Sequence, residues 1–260
     1  MRMKNLARFG CLARSFVYFL VGLLAFLVAI GNPYGTTTDT RGVLKVILDR
    51  PYGAFLLVLL AVGLFAYAWW RVLQSIQDHD NYGRKFGGVV ARSAFFFSGI
   101  AHAALGVYAL NLVFAFTRRT AFGERMMAKW VLMQPNGHYF LEAVGIILML
   151  TGLVQFFKVF DGSFARDLKL PKRHQFVTLS VCRFGLLARG IVFVVIGTFF
   201  FQAGWKSRSR EAGGLAKAWE TLHAQPFGNF LLGTVAAGFI AFAIFGLIEG
   251  FYRKGRAFSK

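Results

Sequence analysis

Six apolar runs divide this chain, at roughly 15–31, 52–70, 93–116, 138–157, 184–204 and 227–248, with short polar or basic connections between them. At a rise of about 1.5 Å per residue, runs of this length cross a hydrocarbon core of about 30 Å as helices. The pattern predicts six transmembrane helices. Three amphipathic segments, Val43–Asp49, Arg125–Met133 and Leu215–Ala224, separate the first from the second run, the third from the fourth and the fifth from the sixth. Each stops before Pro51, Pro135 or Pro226, because a residue preceding proline avoids the helical region. The proline then suits the first turn of the next helix, where an N–H is not needed. These segments are expected to rest on the outer leaflet, with Trp130 and Trp219 at the interface that indoles favour.

The runs also repeat. Arg8, Gly22, Pro51 and Gly53 recur in register as Arg92, Gly106, Pro135 and Gly137, and again as Arg183, Gly197, Pro226 and Gly228, with 43 residues from Arg to Pro each time. A four-point register kept across three segments marks a tripled unit. The copies span 5–75, 86–160 and 178–252 of a single membrane domain, 1–260. Two spans return the chain to the side it left. The expected fold is therefore an all-α integral membrane protein, its six helices forming three parallel-oriented two-helix repeats around a pseudo-threefold axis. The first run follows Arg2, Lys4, Arg8 and Arg14 like a signal peptide, but it is also the first helix of copy one and is kept.

Composition agrees: 57% of residues are hydrophobic and mean hydropathy is +0.55, against about 45–50% apolar in soluble domains. The net charge of +19 calls for an anionic partner. Its Lys and Arg sit at helix ends rather than on one compact face, which argues against nucleic acid. Anionic lipid headgroups fit better, at about 1 kcal/mol for each juxtamembrane cation, and another membrane protein is the further possible partner. The connections on the side of the termini hold 19 Lys and Arg, the opposite ones 11. That bias puts both termini in the cytoplasm. Cys11 and Cys182 occupy unrelated repeat positions, so neither a disulfide nor a metal site is expected. Small residues at Gly233, Ala237 and Ala241, and at Gly99 and Ala103, read as close helix packing within the chain.

Arg8-Phe9-Gly10 with Ala13-Arg14-Ser15 and Tyr18, Arg183-Phe184-Gly185 with Ala188-Arg189-Gly190, and the three Pro-x-Gly turns carry a likeness to a known family. On these residues the chain resembles the bacterial membrane family known as domain of unknown function 1206, over nearly its whole length. The resemblance implies the tripled two-helix fold and a place in the bacterial inner (cytoplasmic) membrane, and carries no reaction with it. The middle copy departs, with Phe97-Ser98-Gly99 in place of Ala-Arg-Gly or Ala-Arg-Ser.

Ionisable groups inside a membrane are the natural functional candidates, because an unpaired charge there costs several kcal/mol. Arg14, Arg189, His102 and Glu142 qualify. Arg14, Ser98 and Arg189 are equivalent across the copies, and so, one turn on, are Tyr18, His102 and Phe193. If that face meets the axis, two Arg and a Ser form a cationic vestibule able to fork onto a phosphate or carboxylate. The alternative has both Arg snorkelling from the outside of the bundle. His102 either relays protons or is a neutral ring bonded between helices, to Tyr18 or Thr151. At the other end, Glu142 with His138 and Asn111 reads as a polar cluster paired to Arg118 or Arg119, since two ligands do not make a metal site. Glu249 is expected to pair with Arg253 four residues on.

No Walker loop, G-x-S-x-G, H-E-x-x-H or dinucleotide fingerprint occurs, so neither an enzyme nor a cofactor is expected. Two functions stand. The first is a non-catalytic scaffold or accessory protein that binds lipid or a membrane partner. The alternative is a channel or transporter for an ion or small anionic solute, its axial cavity lined by Arg14, Arg189 and His102.

Overall fold

The computed structural model describes residues 3–77, 83, 86–114, 124–166, 168 and 175–252. Ten helices follow one another among them: α1 (Met3–Ala29), α2 (Thr40–Leu48), α3 (Gly53–Gln77), α4 (Phe86–Phe114), α5 (Glu124–Leu132), α6 (Gly137–Phe160), α7 (Ser163–Arg166), α8 (Gln175–Trp205), α9 (Leu215–His223) and α10 (Gly228–Tyr252). Six of these, α1, α3, α4, α6, α8 and α10, are long and apolar enough to span a membrane, and the described residues form no β-strand. The spanning helices outrun the apolar stretches, α3 reaching Gln77 and α8 starting at Gln175. Backbone hydrogen bonding continues where hydropathy stops, because long basic side chains carry their charge away from the apolar core.

Each short helix is joined to the next spanning helix by its Pro-x-Gly. Tyr52, Asn136 and Phe227, at x, adopt φ of 62°, 60° and 60°, and the following glycine opens the helix. Proline thus stands before the helix rather than in its first turn, since a reversal this tight needs a left-handed residue between the two. A Cβ on Gly53, Gly137 or Gly228 would strike the carbonyl of Ile47, Val131 or His223 in the preceding helix. Gly137→Ala is accordingly expected to destabilise by about 1–3 kcal/mol, the usual penalty for forcing atoms into a packed site, read as a lower unfolding midpoint in detergent.

Packing follows the repeat. The first helix of each copy crosses the second helix of another, antiparallel, at the glycine of the register. Gly22 of α1 meets Ala236 and Ile240 of α10, Gly106 of α4 meets Phe65 of α3, and Gly197 of α8 meets Gly145 and Met149 of α6. Ile240, Phe65 and Met149 are themselves equivalent, 14 residues beyond each proline. Copies one and three also close on themselves. Gly10 lies against Tyr67 and Gly63 against Ala13; Gly185 lies against Phe242 and Gly238 against Ala188.

Copy two does not close in this way. It places Ala94 and Thr151, Phe97 and Ile147 at those positions, and Phe97 and Ile147 remain 67% and 60% exposed. Among the described residues α4 and α6 make no packed interface, so the helices form an arc in the order α4, α3, α1, α10, α8, α6. Full closure around an axis, expected from three equal copies, stops at this seam because bulky side chains have replaced the small ones.

The short helices correct a second expectation. Val43, Leu44 and Ile47 of α2 and Ala218 and Trp219 of α9 are buried in the main core with Val17, Val21, Leu57, Leu232 and Phe239. Trp219 is fully buried, its ring 4.9 Å from that of Phe239. These two helices plug the bundle rather than lie on a leaflet, because their apolar faces fill the space between diverging helix ends. Trp130 of α5, by contrast, is 61% exposed, as an interfacial indole should be. The small residues are used within the chain: Gly233 meets Ala29, Ala241 borders Gly185, and Gly99 faces Val72. Cys11 and Cys182 are buried and form no disulfide with each other.

Candidate functional site

The Arg-rich half of the bundle holds a run of alternating guanidinium and aromatic groups. It starts at Phe193 of α8, 4.8 Å from Arg189 Cζ. Arg189 lies 4.6 Å over Phe242 of α10, and Arg14 of α1 lies 5.6 Å over the same ring. Arg14 is also 4.8 Å over Tyr67 of α3, which Arg71 covers at 4.9 Å while sitting 5.1 Å over Phe95 of α4. Each such contact is worth about 0.5–2 kcal/mol, most where water is excluded. The run follows the arc of helices from α8 to α4. Its pattern derives from the repeat: Arg14 and Arg189 are equivalent, as are Tyr67 and Phe242, 16 residues beyond their prolines.

Hydrogen bonds distinguish the three cations. Arg14 is 5% exposed, donating Nη1–H to Tyr67 Oη at 2.5 Å and Nη2–H to Glu249 Oε2 at 3.1 Å. It does not snorkel. Arg71 donates Nε–H to the same Tyr67 oxygen at 2.7 Å and Nη1–H to Gln74 at 3.0 Å. Two charged donors occupy both lone pairs of that phenol. The Nε groups of Arg14 and Arg189 are both buried without an acceptor among the described residues, but Arg189 has no counterpart there to the two Nη bonds of Arg14.

The repeat explains the difference. Gln74, Lys158 and Glu249 are equivalent, 23 residues beyond each proline. On the helix packed against α1 this position supplies a carboxylate to Arg14. On α6, packed against α8, it supplies a lysine. Of the three guanidiniums in the run, Arg14 alone has a carboxylate within ion-pairing distance among the described residues.

Glu249 pairs with Arg14; its expected partner Arg253 lies outside the described residues. His102 bonds neither to Tyr18 nor to Thr151, whose hydroxyl donates to Ile147 O on its own helix. Its ring meets Tyr67 edge-on at 4.6 Å, and Nδ1 lies 2.7 Å from Ser98 O. A carbonyl only accepts, so Nδ1 carries the proton and Nε2 of the neutral ring is the remaining acceptor. Tyr18 packs edge-on against Phe242 at 5.1 Å, with Arg189 5.9 Å above it.

At the other end, the described residues leave open the expected pairing of Glu142 with Arg118 or Arg119. Glu142 is half-buried against Gly204 of α8, and His138 packs on its neighbour Tyr139 at 4.0 Å. Asn111 belongs to α4, which makes no packed interface with α6. Arg118 and Arg119 lie outside the described residues, among which no metal-binding group of side chains occurs. A cavity of about 280 Å³ does open at this end, lined by Asp39, Glu124, Arg125, Lys217 and Glu220. Burial holds the Lys217 ammonium below the usual lysine range, against the opposing pull of Glu211. Mixed charge of this kind favours no one ligand.

A family model described as Domain of Unknown Function (DUF1206) matches residues 9–78, 93–161 and 184–253. The chain belongs to the DUF1206 family. The three matches coincide with the three copies, the divergent middle one included. Over 253 residues this DUF1206 protein is 30% identical to the Uncharacterized protein YxxB of Bacillus subtilis (strain 168), covering 96% of its own length and 91% of the relative. No solved structure matches it significantly. Family membership thus agrees with a multi-helix membrane protein and leaves its chemistry to the cationic cluster.

Proposed function

We propose that this DUF1206 protein is a non-catalytic membrane protein that holds an anionic lipid headgroup at the arginine cluster. The observation that carries the reading is Arg189, for which no hydrogen bond or ion pair is found among the described residues, while the equivalent Arg14 bonds through its Nη groups to a phenol and a carboxylate. Placing an arginine in a membrane helix costs about 2.5–3.5 kcal/mol. A phosphate forked by the guanidinium would offset that. Conduction is less well supported, because Val17, Val21, Trp219 and Phe239 fill the space between the helices beyond the cluster. His102, tied to Ser98 and Tyr67, fits a structural role better than a relay.

The test is the phospholipid that stays with the purified protein. Arg189→Gln is expected to lower bound anionic phospholipid several-fold in a folded protein, and Arg14→Gln with Arg189→Gln to remove it. Lipid content equal to that of the unaltered protein would sink the reading.

A further inference from the structure

Copy two leaves open the contact that the other copies close. Ala13 meets Gly63 and Ala188 meets Gly238, whereas the equivalent Phe97 and Ile147 are exposed. Phe97 lies two residues before Gly99, through which α4 packs on α3. Ile147 lies two residues after Gly145, through which α6 packs on α8. Two residues turn a helix by about 200°, so both side chains point away from the packed faces, and by the repeat register they occupy the positions at which copies one and three join their own two helices. Phe97 adjoins Ser98, the equivalent of Arg189, which sets the seam at the depth of the arginine layer.

A second observation comes from α6. Gln155 is 7% exposed, and neither its Oε1 nor its Nε2 has a hydrogen-bond partner among the described residues. A buried amide left so costs about 1–3 kcal/mol. Its surroundings fix its height. Gly152 abuts Gly190 O, and Val159 clusters with Leu186. Gln155 therefore faces the turn of α8, residues 186–190, that carries Arg189. Gln155 and Arg189, on packed helices and both short of hydrogen-bond partners among the described residues, thus lie at about one level.

Building on the headgroup reading, we propose that the seam is a lateral lipid site. One anionic phospholipid lies between α4 and α6, an acyl chain against Phe97 and Ile147, its phosphate accepting from Arg189 and from Gln155 Nε2. Gln155 Oε1 then needs a donor, which a polyol headgroup such as glycerol supplies and a bare phosphate ester does not. Charge favours a lipid over a second copy of the chain, which would bring a further +19 to a chain that already carries as much.

The full chain is reconstituted with phosphatidylglycerol or phosphatidylcholine carrying a photoreactive group on the acyl chain, and the labelled residues are mapped by mass spectrometry. Phosphatidylglycerol is expected to label Phe97 and Ile147 several-fold more than phosphatidylcholine does. Arg189→Gln, or Gln155→Leu if the first variant fails to fold, is expected to abolish that preference. Equal labelling by both lipids, with lipid retention still dependent on Arg189, overturns the seam and spares the headgroup reading. Retention independent of Arg189 overturns both. If inorganic phosphate stabilises the lipid-free protein as much as phosphatidylglycerol does, the site takes free anions and the acyl chain has no part. A dimer cross-linked through Phe97 in the bilayer assigns the seam to a second copy and also overturns the proposal.

Discussion

Glu249→Gln is expected to destabilise the folded protein by about 3–5 kcal/mol, the usual result of stripping one partner from a buried ion pair. The carboxylate accepts from Arg14, 5% exposed and joined otherwise, among the described residues, only to the Tyr67 phenol and two aromatic faces. Glutamine fills the same space but leaves the guanidinium without its counter-charge. Arg14→Met combined with Glu249→Leu should recover most of the loss, since replacing both partners by apolar groups of similar volume is often neutral or better. Unfolding midpoints of the two single variants and the double variant in one detergent make the check. Single losses that simply add in the double variant would show that the two side chains do not act as a pair.

The second large effect is expected from Gly197→Leu. At this point α8 crosses α6, and a Cβ would lie 2.7 Å from both Gly145 O and Met149 Cγ. Overpacking typically costs about 1–3 kcal/mol, and more where backbone must move. Here backbone is what the new side chain meets. Because α6 has α8 as its one spanning neighbour among the described residues, the helix is expected to detach rather than shift. Limited proteolysis should then cut on either side of Gly137–Phe160 while the remaining helices stay protected. Gly22→Leu faces Ala236 O at 2.9 Å, but α1 is also held by α3 and should not be released. Equal protection of α6 in both variants would contradict the arc.

The six spans and three copies were legible in the sequence because hydropathy and spacing are local signals that survive divergence. Arg14 and Arg189 also stood out, as charges among apolar residues. Their partners did not. Tyr67, Arg71, Gln155, Phe242 and Glu249 lie on second helices, and the repeat register names them only when it is counted on past the proline to positions 16, 20 and 23. Arg71 and Glu249 looked like ordinary helix-end charges because nothing along the chain tells which helices become neighbours. Trp219 misled for a related reason: an indole near a helix end suits an interface and a core plug equally well, and tertiary packing decides. The departure of the middle copy at Phe97-Ser98-Gly99 was visible, but its effect depends on what faces Phe97 across the bundle.

The pair formed by Arg14 and Glu249 joins residues 235 positions apart, the first spanning helix to the last. At synthesis rates of about 5–20 residues per second, roughly 10–50 s pass between the two emerging from the ribosome. Throughout that interval a guanidinium sits in the first inserted helix without its carboxylate. Tyr67, only 53 residues on, arrives much sooner and can hold Arg14 in the meantime. Chains that stop short of α10 would keep that cation exposed, giving membrane proteases a mark by which to tell an unfinished protein from a finished one.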